Sequence, residues 1–151
     1  MPTRVEFDFH TRATPDQVVE LLTDFSEKRP ERWPALSRRW YEVYAVGETS
    51  ADVREGQEKP VMWAREAYDW STPGTVTWTV QDSKDLATGS FVSLTATGAA
   101  DGGSDVHGIW ERSGKTLKAR AIVTMMSVMG PRILSGYFTK VYDALPGATG
   151  A

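Results

Sequence analysis

Along residues 4–12, RVEFDFHTR, apolar Val5, Phe7 and Phe9 alternate with Arg4, Glu6, Asp8 and His10. A period of two puts successive side chains on opposite faces of a strand, so this stretch predicts a half-buried strand with its polar face to water. Thr14-Pro15-Asp16-Gln17 then carries the marks of a helix start. Thr14 is the N-cap, Pro15 takes the first helical position and Gln17 closes a capping box. Val18, Val19, Leu21, Leu22 and Phe25 give that short helix an apolar side. Ser26 is placed to cap a second short helix that runs to Glu31 or Trp33 and stops at Pro34. From Trp40 the period returns to two, and segments 40–46, 61–70, 75–81, 90–97 and 105–112 read as strands. A shorter strand is predicted at 51–54, followed by a polar loop ending at Pro60. Ser71-Thr72-Pro73-Gly74 and residues 98–104 supply turn chemistry.

The segment from Lys115 to Leu145 changes period again. Ile122, Met125, Met129, Ile133, Tyr137, Val141 and Leu145 recur at helical spacing and predict a long helix with this stripe against the sheet. Gly130-Pro131 interrupts the pattern, and a proline inside a helix removes a hydrogen bond and predicts a kink. Residues 116–123 also alternate through Leu117, Ala119, Ala121 and Val123, which leaves strand open for the first third. Residues 1–146 read as one domain and 147–151 as a disordered tail.

Composition narrows the function. A chain of 151 residues fits one domain, and a net charge of −3 argues against a general nucleic-acid binder, which needs many phosphate contacts. The absence of cysteine excludes disulfides, zinc–thiolate sites and thiol catalysis. No apolar run approaches the ~20 residues that span a bilayer, and no signal-peptide core opens the chain. The expectation is a cytoplasmic protein without stable membrane insertion, as a monomer or homodimer. Six Trp, five Tyr and five Phe suit either a core or an apolar ligand pocket.

The order strand, two helices, five or six antiparallel strands and a long C-terminal helix is an α+β layer architecture. It resembles the helix-grip fold of the SRPBCC/START-like superfamily, which holds START lipid-transfer domains, birch-pollen-allergen-like proteins and bacterial polyketide cyclases/dehydrases. The residues that carry the resemblance are Ala13-Thr14-Pro15-Asp16-Gln17-Val18, Trp33-Pro34, Ala64-Arg65-Glu66 with Asp69-Trp70 and Pro73-Gly74, and Val106-His107 with Trp110-Glu111-Arg112. The resemblance implies a curved antiparallel sheet wrapped around the last helix, with a cavity between them. It implies binding, and transport in some members, of a hydrophobic small molecule such as a lipid or polyketide-like compound. A polyketide cyclase/dehydratase using the same cavity is the alternative, and an interaction module with a filled core is the third reading.

Strand parity sorts the candidate residues. Trp78 shares a face with Val76 and Val80, and Trp110 shares one with Val106 and Gly108, so both should point inward. His107 then faces water, as His10 does. Glu66 is the one charge on the face of Met62, Ala64, Tyr68 and Trp70. A carboxylate in an apolar cavity has its pKa raised by desolvation, the state a general acid needs. The competing readings are an Arg partner or a bulge that turns Glu66 to water. Met125, Met126 and Met129 with Tyr137 should face the sheet. The expected ligand-binding set is Trp33, Tyr68, Trp78, Trp110, Met125, Met129 and Tyr137, with Glu66 as the catalytic candidate, no metal site and no cofactor. The run 28–41 interleaves Lys28, Arg29, Arg32, Arg38 and Arg39 with Trp33, Trp40 and Tyr41. It reads as a solvated face with Trp33 packed beneath, or as a mouth that steers an acidic ligand inward.

Overall fold

A computed structural model describes residues 2–145, and the tail expected at 147–151 lies outside them. The chain runs β1 (Thr3–Thr11), α1 (Pro15–Leu22), α2 (Arg29–Arg32), a 3₁₀ turn (Arg38–Trp40), β2 (Glu42–Val46) and β3 (Ser50–Glu58). It continues as β4 (Val61–Asp69), β5 (Thr75–Asp82), β6 (Phe91–Gly98), β7 (Ser104–Arg112) and α3 (Leu117–Asp143). The strands form one antiparallel sheet in the order β1-β7-β6-β5-β4-β3-β2, curved around α3. This is the α+β helix-grip arrangement the element order predicted.

The local signals explain most of the elements. Thr14 Oγ1 accepts from the Gln17 backbone N–H and Gln17 Oε1 accepts from that of Thr14, a closed capping box. Inward positions alternate along every long strand: Val5, Phe7 and Phe9 on β1, Val76, Trp78 and Val80 on β5, Val92, Leu94 and Ala96 on β6. Phe7 and Phe9 each stack on Phe138 of α3 at 5.7 Å between ring centres. Burying such side chains contributes about 1.5–3 kcal/mol apiece. Tyr142 Oη donates to the Val18 carbonyl at 2.8 Å and ties α3 to α1.

Three expectations are corrected. Ser26 caps no extended helix, because α2 is a single turn whose first flanking residue is Lys28. Trp40 closes the 3₁₀ turn rather than opening a strand, and β2 begins at Glu42. The loop expected after Arg54 is strand as far as Glu58. Glu55 and Gln57 continue the inward parity of Ala51 and Val53, and their polarity disguised the strand.

The long helix is continuous. Thr116 Oγ1 accepts from the Ala119 backbone N–H and starts it, so residues 117–123 are helical. Pro131 lies inside α3 on its exposed side and does not end it. The buried face, however, is not the expected stripe. Val123, Met126, Gly130 and Phe138 are buried, each one position after Ile122, Met125, Met129 and Tyr137, and of the expected stripe Val141 is buried, beside Tyr142. One residue is about 100° around a helix. Gly130 suits the close approach of α3 to β1. A Cβ there would stand 3.0 Å from Val5 Cγ1, so α3 crosses β1 with its backbone against the strand. Gly108 does the same beneath Phe7, whose ring a Cβ would strike.

Candidate functional site

Rotating α3 by one residue leaves space between it and the sheet. A cavity of about 480 Å³ lies there. Trp33, Glu66, Tyr68, Trp78, Trp110, Met125 and Tyr137 all border it, which brings together all but one of the sequence-nominated residues. Met129 is the exception: it is 53% exposed and outside the lining. Met125 also does not pack on the sheet; it is 46% exposed at the mouth, and only Met126 reaches the core. The exposed lining residues Ala35, Lys59, Pro60, Met125 and Ile133 mark that mouth, between the β3–β4 turn and α3.

Two charged clusters face the cavity, and they are built differently. Arg29 belongs to the basic run that reads as solvated, yet only 3% of it is exposed. Its Nε donates to Glu55 Oε2 at 2.7 Å, its Nη1 to the carbonyls of Leu22 and Asp24, and its Nη2 to Tyr68 Oη at 3.1 Å. Tyr68 Oη donates in turn to Glu55 Oε1. The guanidinium also lies over the rings of Phe25, Tyr68 and Trp33. Burial opposes the charge of Arg29, but Glu55 and Tyr68 outweigh it and raise its pKa. Burial and the Glu55 charge hold the Tyr68 hydroxyl protonated.

Glu66 is 5% exposed and points inward despite a register shift beside it between β4 and β5. Burial pushes its carboxyl up to about 7, against the attraction of Arg112. Arg112 comes from the end of β7, three strands away across the concave face. Its Nη2 lies 3.8 Å from Glu66 Oε2, an ion pair without a hydrogen bond. Among the described residues the buried Glu66 Oε2 has no hydrogen-bond partner, and neither has the indole N–H of Trp33.

Arg112, Glu55 and Arg29 were not nominated by sequence. Parity was a signal for two of them, since Arg112 shares the face of Trp110 and Glu55 that of Val53. Nothing local distinguishes Arg29 from its solvated neighbours. His107 faces outward between Asp8 and Glu6, at 2.9 and 3.0 Å, which raise its pKa. Among the described residues no group of His, Asp and Glu converges as a metal site, and no helix is long and apolar enough to cross a membrane.

No family model matches the sequence, and no curated protein is detectably similar to it. Solved structures do match by shape. Zhui aromatase/cyclase from Streptomyces sp. R1128 superimposes with a TM-score of 0.75 at 13% identity, over 100% of both chains. A START superfamily protein from Mycobacterium smegmatis gives 0.75 at 10% identity, over 95% of this chain and 99% of that one. Major latex-like protein 151 from Panax ginseng gives 0.67 at 13%, over 97% and 99%. Identities this low carry the fold alone. By strand order, helix placement and these superpositions, the chain has the START-like helix-grip fold.

Proposed function

We propose that the protein binds a hydrophobic small molecule, lipid-like or polyketide-like, in the cavity between the sheet and α3. The cavity itself carries this reading. Protein cores close-pack and unfilled volume costs stability, so about 480 Å³ bordered by Trp33, Trp78, Trp110 and Tyr137 suits an occupant. That volume weighs against the filled-core interaction module. Met125 at the mouth is a flexible side chain that adapts to varied apolar shapes. The likeness to the aromatase/cyclase and START superfamily structures supports the same reading. The test is native mass spectrometry of protein purified without detergent, followed by denaturation and analysis of what is released. A released apolar compound is the expected result. No adduct, with no thermal shift across a lipid and polyketide panel, overturns the proposal.

A cyclase or dehydratase is the second reading, and Glu66 favours it. A carboxyl pushed up to about 7 retains its proton near neutrality and can donate it to a leaving hydroxyl. The cavity would hold the reactive chain in place. Tyr68 is a poor donor here because its hydroxyl is committed to Glu55. Turnover of a β-hydroxyketone that survives Glu66→Gln would end this reading.

A further inference from the structure

Arg112 and Glu66 are an incomplete polar site. The Arg112 side chain is 12% exposed and that of Glu66 7% exposed. Among the described residues the guanidinium, with five N–H donors, makes no hydrogen bond, and neither oxygen of Glu66 accepts one. Their contact of 3.8 Å is too long to be one. Buried polar groups left this way are costly, whereas Arg29 in the same cavity makes four hydrogen bonds and Glu55 accepts with both oxygens.

Resting on the cavity-binding reading, we propose that Arg112 and Glu66 are the head-group site for an apolar carboxylic acid. The acid's carboxyl accepts hydrogen bonds from the Arg112 fork and shares a proton with the Glu66 carboxyl, while the tail lies along Trp78 and Trp110. The choice follows from chemistry. A planar carboxylate matches the guanidinium fork with two oxygens, which an alcohol cannot do. An ester brings no negative charge to Arg112 and only one strong acceptor oxygen. An amine would meet Arg112 with like charge. Arg112, two carboxyls and one shared proton sum to zero charge, the condition for burial. The other titratable lining groups are Arg29, Glu55, Tyr68 and Tyr137, with Lys59 at the mouth. Arg29, Glu55 and Tyr68 are bonded to one another and leave the pair to the ligand.

The approach to the cavity has the matching sign. Along its length α3 carries Lys118, Arg120, Arg132 and Lys140 against the single carboxylate Asp143, although the whole chain is acidic. Lys118 is partly offset by Asp85 at 3.5 Å. At the mouth itself stands Lys59, a cation that favours an approaching anion.

Calorimetric titration with dodecanoic acid, methyl dodecanoate and dodecanol tests the assignment. Dodecanoate should bind at least about 10-fold more tightly than the ester, as charge-assisted hydrogen bonds imply. Near neutral pH, titrations in buffers of different ionisation heat should register proton uptake. Arg112→Gln should bring the acid-to-ester ratio close to one, and Glu66→Gln should abolish the proton uptake. If Arg112→Gln folds poorly, the wild-type ratio and the Glu66→Gln arm still decide. Equal affinity for acid and ester, or a preference that survives Arg112→Gln, overturns the head-group site while the cavity reading stands. No binding by any of the three ligands overturns both.

Discussion

Two buried ion pairs share one cavity wall. Arg29–Glu55 is saturated, with the guanidinium bonded to a carboxylate, a phenol and two carbonyls and packed against aromatic rings. Arg112–Glu66 has a separation of 3.8 Å and no hydrogen bond. Both pairs put a charge where water is scarce, so charge alone does not distinguish structure from function. The distinction lies in satisfaction: the first pair pins α2 to β3 and β4, and the second holds bonding capacity in reserve.

The sharpest way to break this comparison is to remove each guanidinium. Arg29→Gln leaves Glu55, Tyr68 and two carbonyls without their partner, and should cost about 3–5 kcal/mol in urea denaturation. Arg112→Gln breaks no hydrogen bond and should cost about 1 kcal/mol or less. Equal losses would show that the second pair is structural after all.

A second contrast separates packed wall from cavity wall. Phe138 stacks on Phe7 and Phe9 and lies near Trp33, so Phe138→Ala should cost about 3–5 kcal/mol. Trp78 stacks on Tyr68 at 5.3 Å but also faces open volume. Trp78→Ala should therefore cost less than Phe138→Ala, although tryptophan is larger. The same denaturation curves decide it.

The open pair should also show in pH dependence. The Glu66 pKa rises from 4.5 to about 7 on folding, so the folded state holds a proton that the unfolded chain has already lost. Its stabilising contribution is complete below 4.5 and is lost as pH rises through about 7. Relative to wild type, Glu66→Gln should gain on the order of 3 kcal/mol across that window. Thermal melts at both ends measure it, and a parallel shift in the two proteins would contradict the burial of Glu66. His107 supplies the surface control. Its pKa is raised by Asp8 and Glu6, so its contribution is present below 6.5 and fades as pH rises through the raised value. Its side chain is 45% exposed, and His107→Gln should shift the melting temperature hardly at all.

The parity rule located Trp78, Trp110, Tyr68 and Glu66 because an antiparallel strand leaves each side chain only two directions. The same rule reaches Arg112 on the face of Trp110, but it reaches Glu55 only once β3 is seen to continue past Arg54. Met129 was misplaced for another reason. On a helix any direction is available, and an apolar stripe records which residues avoid water without saying what covers them. In α3 Ile122, Met125, Ile133 and Tyr137 of the stripe border the cavity and its mouth, Val141 joins the core, and Met129 faces away from both.

By itself the sequence determined the strands, the capped start of α1, the element order and hence the helix-grip layering, because these follow from periodicity and local hydrogen bonding. Only tertiary structure decided where α3 turns and what Arg29 and Arg112 do. Gly108 admits the Phe7 ring at a distance no Cβ would tolerate, and Gly130 brings the helix backbone close against Val5. Whether a buried charge is satisfied depends on partners from α2, β3, β4 and β7, which meet only when the sheet curves. Satisfaction is a property of convergence in space, and no local pattern encodes it.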